Sequence, residues 1–144
     1  MGRGFTLPEL VAVLLILGVL SAVALPRFWA SEYDEARLHD ETTAALRFAH
    51  RTAVAMQRTV CVSFTATTVI LTYDPVYGNA ACTTALPGPG GAPAPYTVTA
   101  QGAAAFSPVP SNFTFDRLGR ASVAQTIMAS GRAIAVEAET GYVH

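Results

Sequence analysis

Glu9 is a carboxylate set among apolar residues. In the opening run MGRGFTLPELVAVLLILGVLSAVALP the only charges are Arg3 and Glu9, and nothing from Leu10 to Pro26 ionises. A helix from Phe5 to Pro26 would rise about 33 Å, the thickness of a bilayer's hydrocarbon core. An acid in that setting costs on the order of 2.5 to 3.5 kcal/mol, so the chemistry open to it is ion pairing with an amine.

The other reactive side chains are few. Cys61 and Cys82 lie outside any CxxC arrangement. They read either as a loop-closing disulfide, worth roughly 3 kcal/mol and persistent only in an oxidising compartment, or as two separate buried thiols. His39, His50 and His144 show no ligand spacing with these cysteines, so neither metal nor cofactor is expected. Serines and histidines occur without a nucleophile elbow, no glycine motif cradles phosphate, and Asp116 has no evident partner acid. The chain is not expected to be an enzyme.

Gly4, Phe5, Thr6, Leu7, Pro8 and Glu9, followed by the apolar run, resemble the cleavage and methylation segment of type IV prepilins and type II secretion pseudopilins. The resemblance implies cleavage between Gly4 and Phe5 by a prepilin peptidase on the cytoplasmic face, then N-methylation of Phe5. It also implies that Glu9 answers the terminal ammonium of a neighbouring subunit. The implied partners are other pilins in a helical fibre, the peptidase and an inner-membrane assembly platform. The implied location is the bacterial inner membrane, single-pass, with the N-terminus cytoplasmic and the C-terminal domain periplasmic, and then the fibre.

Two other readings of the same residues exist. A secretory signal peptide would use Arg3 as its basic region and Ala22-Val23-Ala24 as its cleavage site, but Glu9 and the length of the run oppose it. A plain anchor for a periplasmic domain explains the length and leaves Glu9 unpaired.

The elements that would position these residues fall into four segments: a leader, 1–4; a transmembrane and assembly helix, 5–28; an amphipathic helix, 29–58; and a β domain, 59–144. About 115 residues beyond the anchor suffice for one modest core. Pro26 is expected to kink the helix or to end it, and Trp29 and Tyr33 fit a lipid-water interface. From Ala30 to Arg58 the period is helical, with Leu38, Ala45, Phe48, Ala49, Thr52, Ala53 and Met56 on one face, read as docking on a sheet. Acids come early (Glu32, Asp34, Glu35, Asp40, Glu41) and bases late (Arg47, His50, Arg51, Arg58), in the sense that complements a helix dipole.

At Thr59 the period becomes two, predicting a strand with Val60, Val62 and Phe64 inward, a tip near 65–68 and a second strand over Val69 to Tyr73. Residues 74–95 are rich in proline and glycine and read as a loop that builds no core, open to use as a recognition surface pinned by Cys82. Strands are expected at 96–99, 112–115 and 133–138, with a turn at Asp116 to Gly119. A last strand is expected at 142–144 after a turn at Thr140-Gly141. The stretch 122–129 has helix and strand tendencies in similar measure and fits an edge strand. The fold class is α+β and pilin-like: a long N-terminal helix packed on a C-terminal antiparallel β domain.

Within that family, Phe113 to Ala121 and the closing Thr140-Gly141-Tyr142 resemble the H-type pseudopilin and FimT-type minor pilin branch. Ala24-Leu25-Pro26-Arg27-Phe28, Leu46-Arg47 and a cysteine just past the helix resemble an MSHA-type minor pilin. Both imply a non-enzymatic minor pilin or pseudopilin. Some FimT-type pilins bind DNA through a glycine- and arginine-containing C-terminal motif. Here Gly141-Tyr142-Val143-His144 keeps the glycine and lacks the arginines, so Arg117, Arg120 and Arg132 would have to form the patch. The chain has no lysine, and beyond residue 28 seven arginines face nine acids, so nucleic acid is not the expected partner.

Overall fold

A computed structural model describes residues 6–78 and 81–144; the side chains of residues 22–30 lie outside the description. The chain forms two compact units, Met1–Tyr33 and Asp34–His144. Helix α1, Leu7–Met56, contributes to both. The architecture is α+β, with α1 followed by short antiparallel strands.

In the first unit, every described side chain of α1 from Leu7 to Ser21 is exposed, including Leu10, Leu14, Leu15, Ile16, Leu17, Val19 and Leu20. Among the described residues no helix is long and apolar enough to cross a membrane. The span expected over 5–28 and the kink expected at Pro26 both reach into residues outside the description.

In the second unit α1 buries Leu38, Thr42, Ala45, Leu46, Ala49 and Ala53. That stripe includes most of the expected face and corrects it at both edges. Thr42 and Leu46 belong to it, Phe48 is half-buried, and Met56 is 41% exposed at the helix end, where no further turn carries it over the core. Because α1 is one helix, its acids at 32–41 lie mid-helix and Arg58 lies beyond its end. Glu9 alone stands in the first turn and no base in the last. The dipole argument therefore applies to Glu9 only. The helix stops in a Schellman arrangement: Gln57 turns to φ +52, its N–H donates to the Val54 carbonyl and the Arg58 N–H to that of Ala53.

The strands are β1 Val60–Phe64, β2 Thr68–Tyr73, β3 Thr84–Ala85, β4 Thr97–Thr99, β5 Phe113–Phe115, β6 Gln125–Ala129 and β7 Arg132–Val136. β1 pairs antiparallel with β2 and β5, and β2 takes β3 and β4 at successive stretches of its other edge. Alternation along β1 sends Val60, Val62 and Phe64 inward, as its period of two requires. β6 and β7 form a separate hairpin through Ser130 and Gly131, both at positive φ, and Val143 bridges to Val136 at its edge. Residues from α1 and from both sheets share one core, in which the Phe64 ring meets those of Phe106 and Phe113, and Phe113 in turn meets Phe115.

The segment 74–95 departs from the expected coreless loop. It supplies β3 and the fully buried Leu86, whose N–H donates to the Leu71 carbonyl. Two residues of strand flanked by proline and glycine are enough to carry one large apolar side chain inward.

Candidate functional site

Glu9 lies three residues after Thr6, and the pair forms the glutamate half of a capping box, the Glu9 N–H itself donating to the Thr6 carbonyl at 3.1 Å. Thr6 precedes the first helical residue, and Glu9 Oε2 accepts from the Thr6 N–H at 3.4 Å and the Thr6 hydroxyl at 3.3 Å. The carboxylate is thus held at the positive end of its own helix, where the dipole favours it. Gly4 and Phe5 lie outside the described residues. Threonine followed three positions later by glutamate was the available sequence signal for this cap.

A second cluster lies in the other unit. Arg47, His50 and Arg51 on α1 and Thr140, Tyr142 and Val143 near the end of the chain line one open groove. Arg47 donates from Nε and Nη2 to the Val143 carbonyl, which ties the helix to the C-terminal segment. His50 sets its ring edge-on to Phe115 at 5.6 Å. The groove depends on Gly141: it is buried at φ +61, and a Cβ there would overlap the Gly119 carbonyl and press on His50. These residues are some ninety positions apart in sequence, and no local pattern brings them together.

The turn at Asp116 is a closed local network. Asp116 Oδ1 accepts from the Leu118 and Arg120 N–H groups, both at 2.8 Å, and Oδ2 accepts from Arg120 Nε at 3.0 Å. Burial alone would raise its pKa, but the Arg120 N–H and guanidinium, with the Leu118 N–H, outweigh it and hold the carboxyl below its ordinary value. Three of the carboxylate's four lone-pair sites are taken within the turn, which gives it a structural role there.

The three arginines considered for a nucleic-acid patch are differently engaged. Arg120 pairs with Asp116, and Arg117 donates to the Tyr77 hydroxyl at 2.6 Å with its guanidinium over the ring. Arg132 sits on the β6–β7 hairpin. Cys61 and Cys82 are joined in a disulfide that closes the segment containing β2. At the neck of the loop beyond β2, the buried Asp74 accepts from the Val76 and Ala81 N–H groups. Among the described residues no cluster of histidine, cysteine and acids could hold a metal.

Residues 2–25 match the family model described as the prokaryotic N-terminal methylation motif. The match supports a type IV pilin-like N-terminus that is processed and methylated; it does not extend to the β domain. No curated protein and no solved structure matches the chain.

Proposed function

We propose that the chain is a minor pilin or pseudopilin, a non-enzymatic assembly subunit of a type IV pilus or a type II secretion pseudopilus. The observation that carries this reading is the described apolar stretch Leu7 to Ser21, exposed all round, with one acid at its start inside a methylation motif. A helix apolar on every side needs lipid or other helices around it.

In this reading, cleavage between Gly4 and Phe5 creates a new N-terminus four residues before Glu9, and Phe5 is N-methylated. The subunit waits in the inner membrane, its N-terminus cytoplasmic and its β domain periplasmic. While it waits, the Thr6 cap satisfies part of the Glu9 carboxylate. On docking, the terminal ammonium of a neighbour supplies the full counter-charge, and packing between apolar helices holds the fibre.

The test is the intact mass of the protein from membranes of cells with and without prepilin peptidase. Peptidase-dependent loss of Met1 to Gly4 with one added methyl group is the expected result. Cleavage near Ala24, or none, overturns the proposal. A companion variant, Glu9→Leu, keeps processing and insertion and loses most incorporation into fibres; normal incorporation removes the role given to Glu9.

A further inference from the structure

The second unit holds a pair of like charges together. Arg47 and Arg51 stand one turn apart on the same side of α1, both exposed, and like charges at that spacing repel. Arg47 commits its Nε hydrogen and one on Nη2 to the Val143 carbonyl, which leaves its Nη1 hydrogens and the other on Nη2 uncommitted. Among the described residues Arg51 has neither a hydrogen bond nor an ion pair. A fixed guanidinium beside a spare one suits a single carboxylate, because the fixed group loses little freedom on binding.

The pair borders the open groove, whose volume of about 550 Å³ is that of a small-molecule site. His50 brings an imidazole to the same wall. On the wall of the C-terminal segment Tyr142 is 57% exposed and its ring lies 5.2 Å from that of His144, an aromatic ledge with a phenol hydroxyl. Thr140 is already occupied, its hydroxyl donating to Glu137 and accepting from the Tyr142 N–H. Among the described residues no acid lines the groove. The nearby acids sit at its rim: Glu137 is held by Thr140 and faces His144 at 3.9 Å, and the exposed Glu139, next to Thr140, lines a neighbouring hollow with Asp116 and Arg120. Arg37 stands roughly 15 Å earlier along the helix, paired with Glu41, and takes no part.

We propose that the groove binds a sugar acid: a pyranose ring whose carboxylate is taken by Arg47 and Arg51 and whose apolar face lies on Tyr142. The rim acids select for sparse charge. A nucleic acid, with a phosphate at every unit, would meet Glu137 and Glu139 as well as the arginines, whereas one isolated carboxylate meets the arginines alone. An acidic peptide supplies the carboxylate but no ring for the ledge. His50 and the Tyr142 hydroxyl are the polar groups left for the hydroxyls of the sugar. The site lies within one chain and is independent of the assembly reading.

The test is titration calorimetry of the full-length chain in detergent with two probes, free glucuronate and a hyaluronan tetrasaccharide, in which glucuronate alternates with a neutral sugar. Saturable binding is expected, with none for the neutral chitotetraose. Arg51→Gln, at unchanged melting temperature, weakens it about tenfold and Tyr142→Ala about threefold. Glucuronate binding as tightly as the tetrasaccharide identifies the free sugar acid as the ligand, and tighter binding of the tetrasaccharide identifies a chain; both uphold the site. Saturation by neither probe overturns the proposal, as does an affinity unaltered in either variant. A hexaglutamate peptide or a single-stranded oligonucleotide that binds as tightly as the tetrasaccharide also overturns it, and assigns the groove to acidic peptide or to nucleic acid.

Discussion

The Arg47 guanidinium and the Val143 carbonyl meet through two hydrogen bonds, 3.2 Å from Nε and 3.0 Å from Nη2. This contact fastens the C-terminal segment to the last third of α1. Arg47→Met keeps the aliphatic stem and removes both donors, leaving the carbonyl of the buried Val143 without them. The expected loss is about 1 to 2 kcal/mol, with Arg47→Lys recovering part of it. Thermal unfolding of the two variants checks this, and equal melting of Arg47→Met and the parent would remove the contact from the stability argument.

Gly141→Ala is expected to be among the most damaging single-methyl additions in the chain. The residue combines φ +61 with a backbone neighbour, the Gly119 carbonyl, that cannot swing aside. A loss of about 2 to 4 kcal/mol is expected. By contrast Gly131→Ala, also at positive φ but facing open space, should cost about 1 kcal/mol. The ranking of the two melting temperatures is the measurement.

Asp116 makes stability depend on acid pH. Its folded pKa lies below its unfolded one, so its contribution is fully present above about pH 4, the ordinary carboxylate value, and fades as pH falls through the folded pKa. With a third of its side chain open to solvent, the effect is modest. Asp116→Asn should melt below the parent at pH 7, and the gap should close toward pH 2. A gap that stays constant over this range would assign the loss to the turn's neutral hydrogen bonds.

Thr42 is fully buried against the core, and its hydroxyl has no partner among the described residues. Thr42→Val replaces that hydroxyl with a methyl of similar size. A gain of about 1 kcal/mol is expected, because an unmade buried hydrogen bond is relieved. A lower melting temperature for the variant would reveal a partner for the hydroxyl.

Legibility in the sequence followed the range of the interactions. Helical spacing in steps of three and four, with Leu38, Ala45, Ala49 and Ala53 on one face, revealed the buried side of α1, and strict alternation from Val60 to Phe64 revealed β1, because each pattern reports one face of one element. The stretch 122–129 was ambiguous for a physical reason. Its alanine, serine and glutamine are indifferent, and β6 exists because the Ser130-Gly131 turn folds it onto β7, a serine-glycine signal that the local composition masks. β3 was hidden by its length, two residues between prolines and glycines. The groove was invisible altogether, since Arg47 and Val143 are joined only by the completed fold. The half capping box at Thr6 and Glu9 was written in four consecutive residues, beneath the larger signal of a charge in an apolar run.

The disulfide between Cys61 and Cys82 also determines how the protein bears load. The two Cα atoms are 6.1 Å apart across a sequence separation of 21. A pull transmitted from α1 to the strands beyond passes through the sulfur bridge and bypasses the rest of β1 after Cys61, β2 and the loop after it. At about 3.3 Å of contour per residue, the bridge withholds roughly 65 Å of chain from extension. A subunit under tension would therefore lengthen by that much less before breaking, and β2 with most of β1 would stay slack while β3 and β4 carry the load.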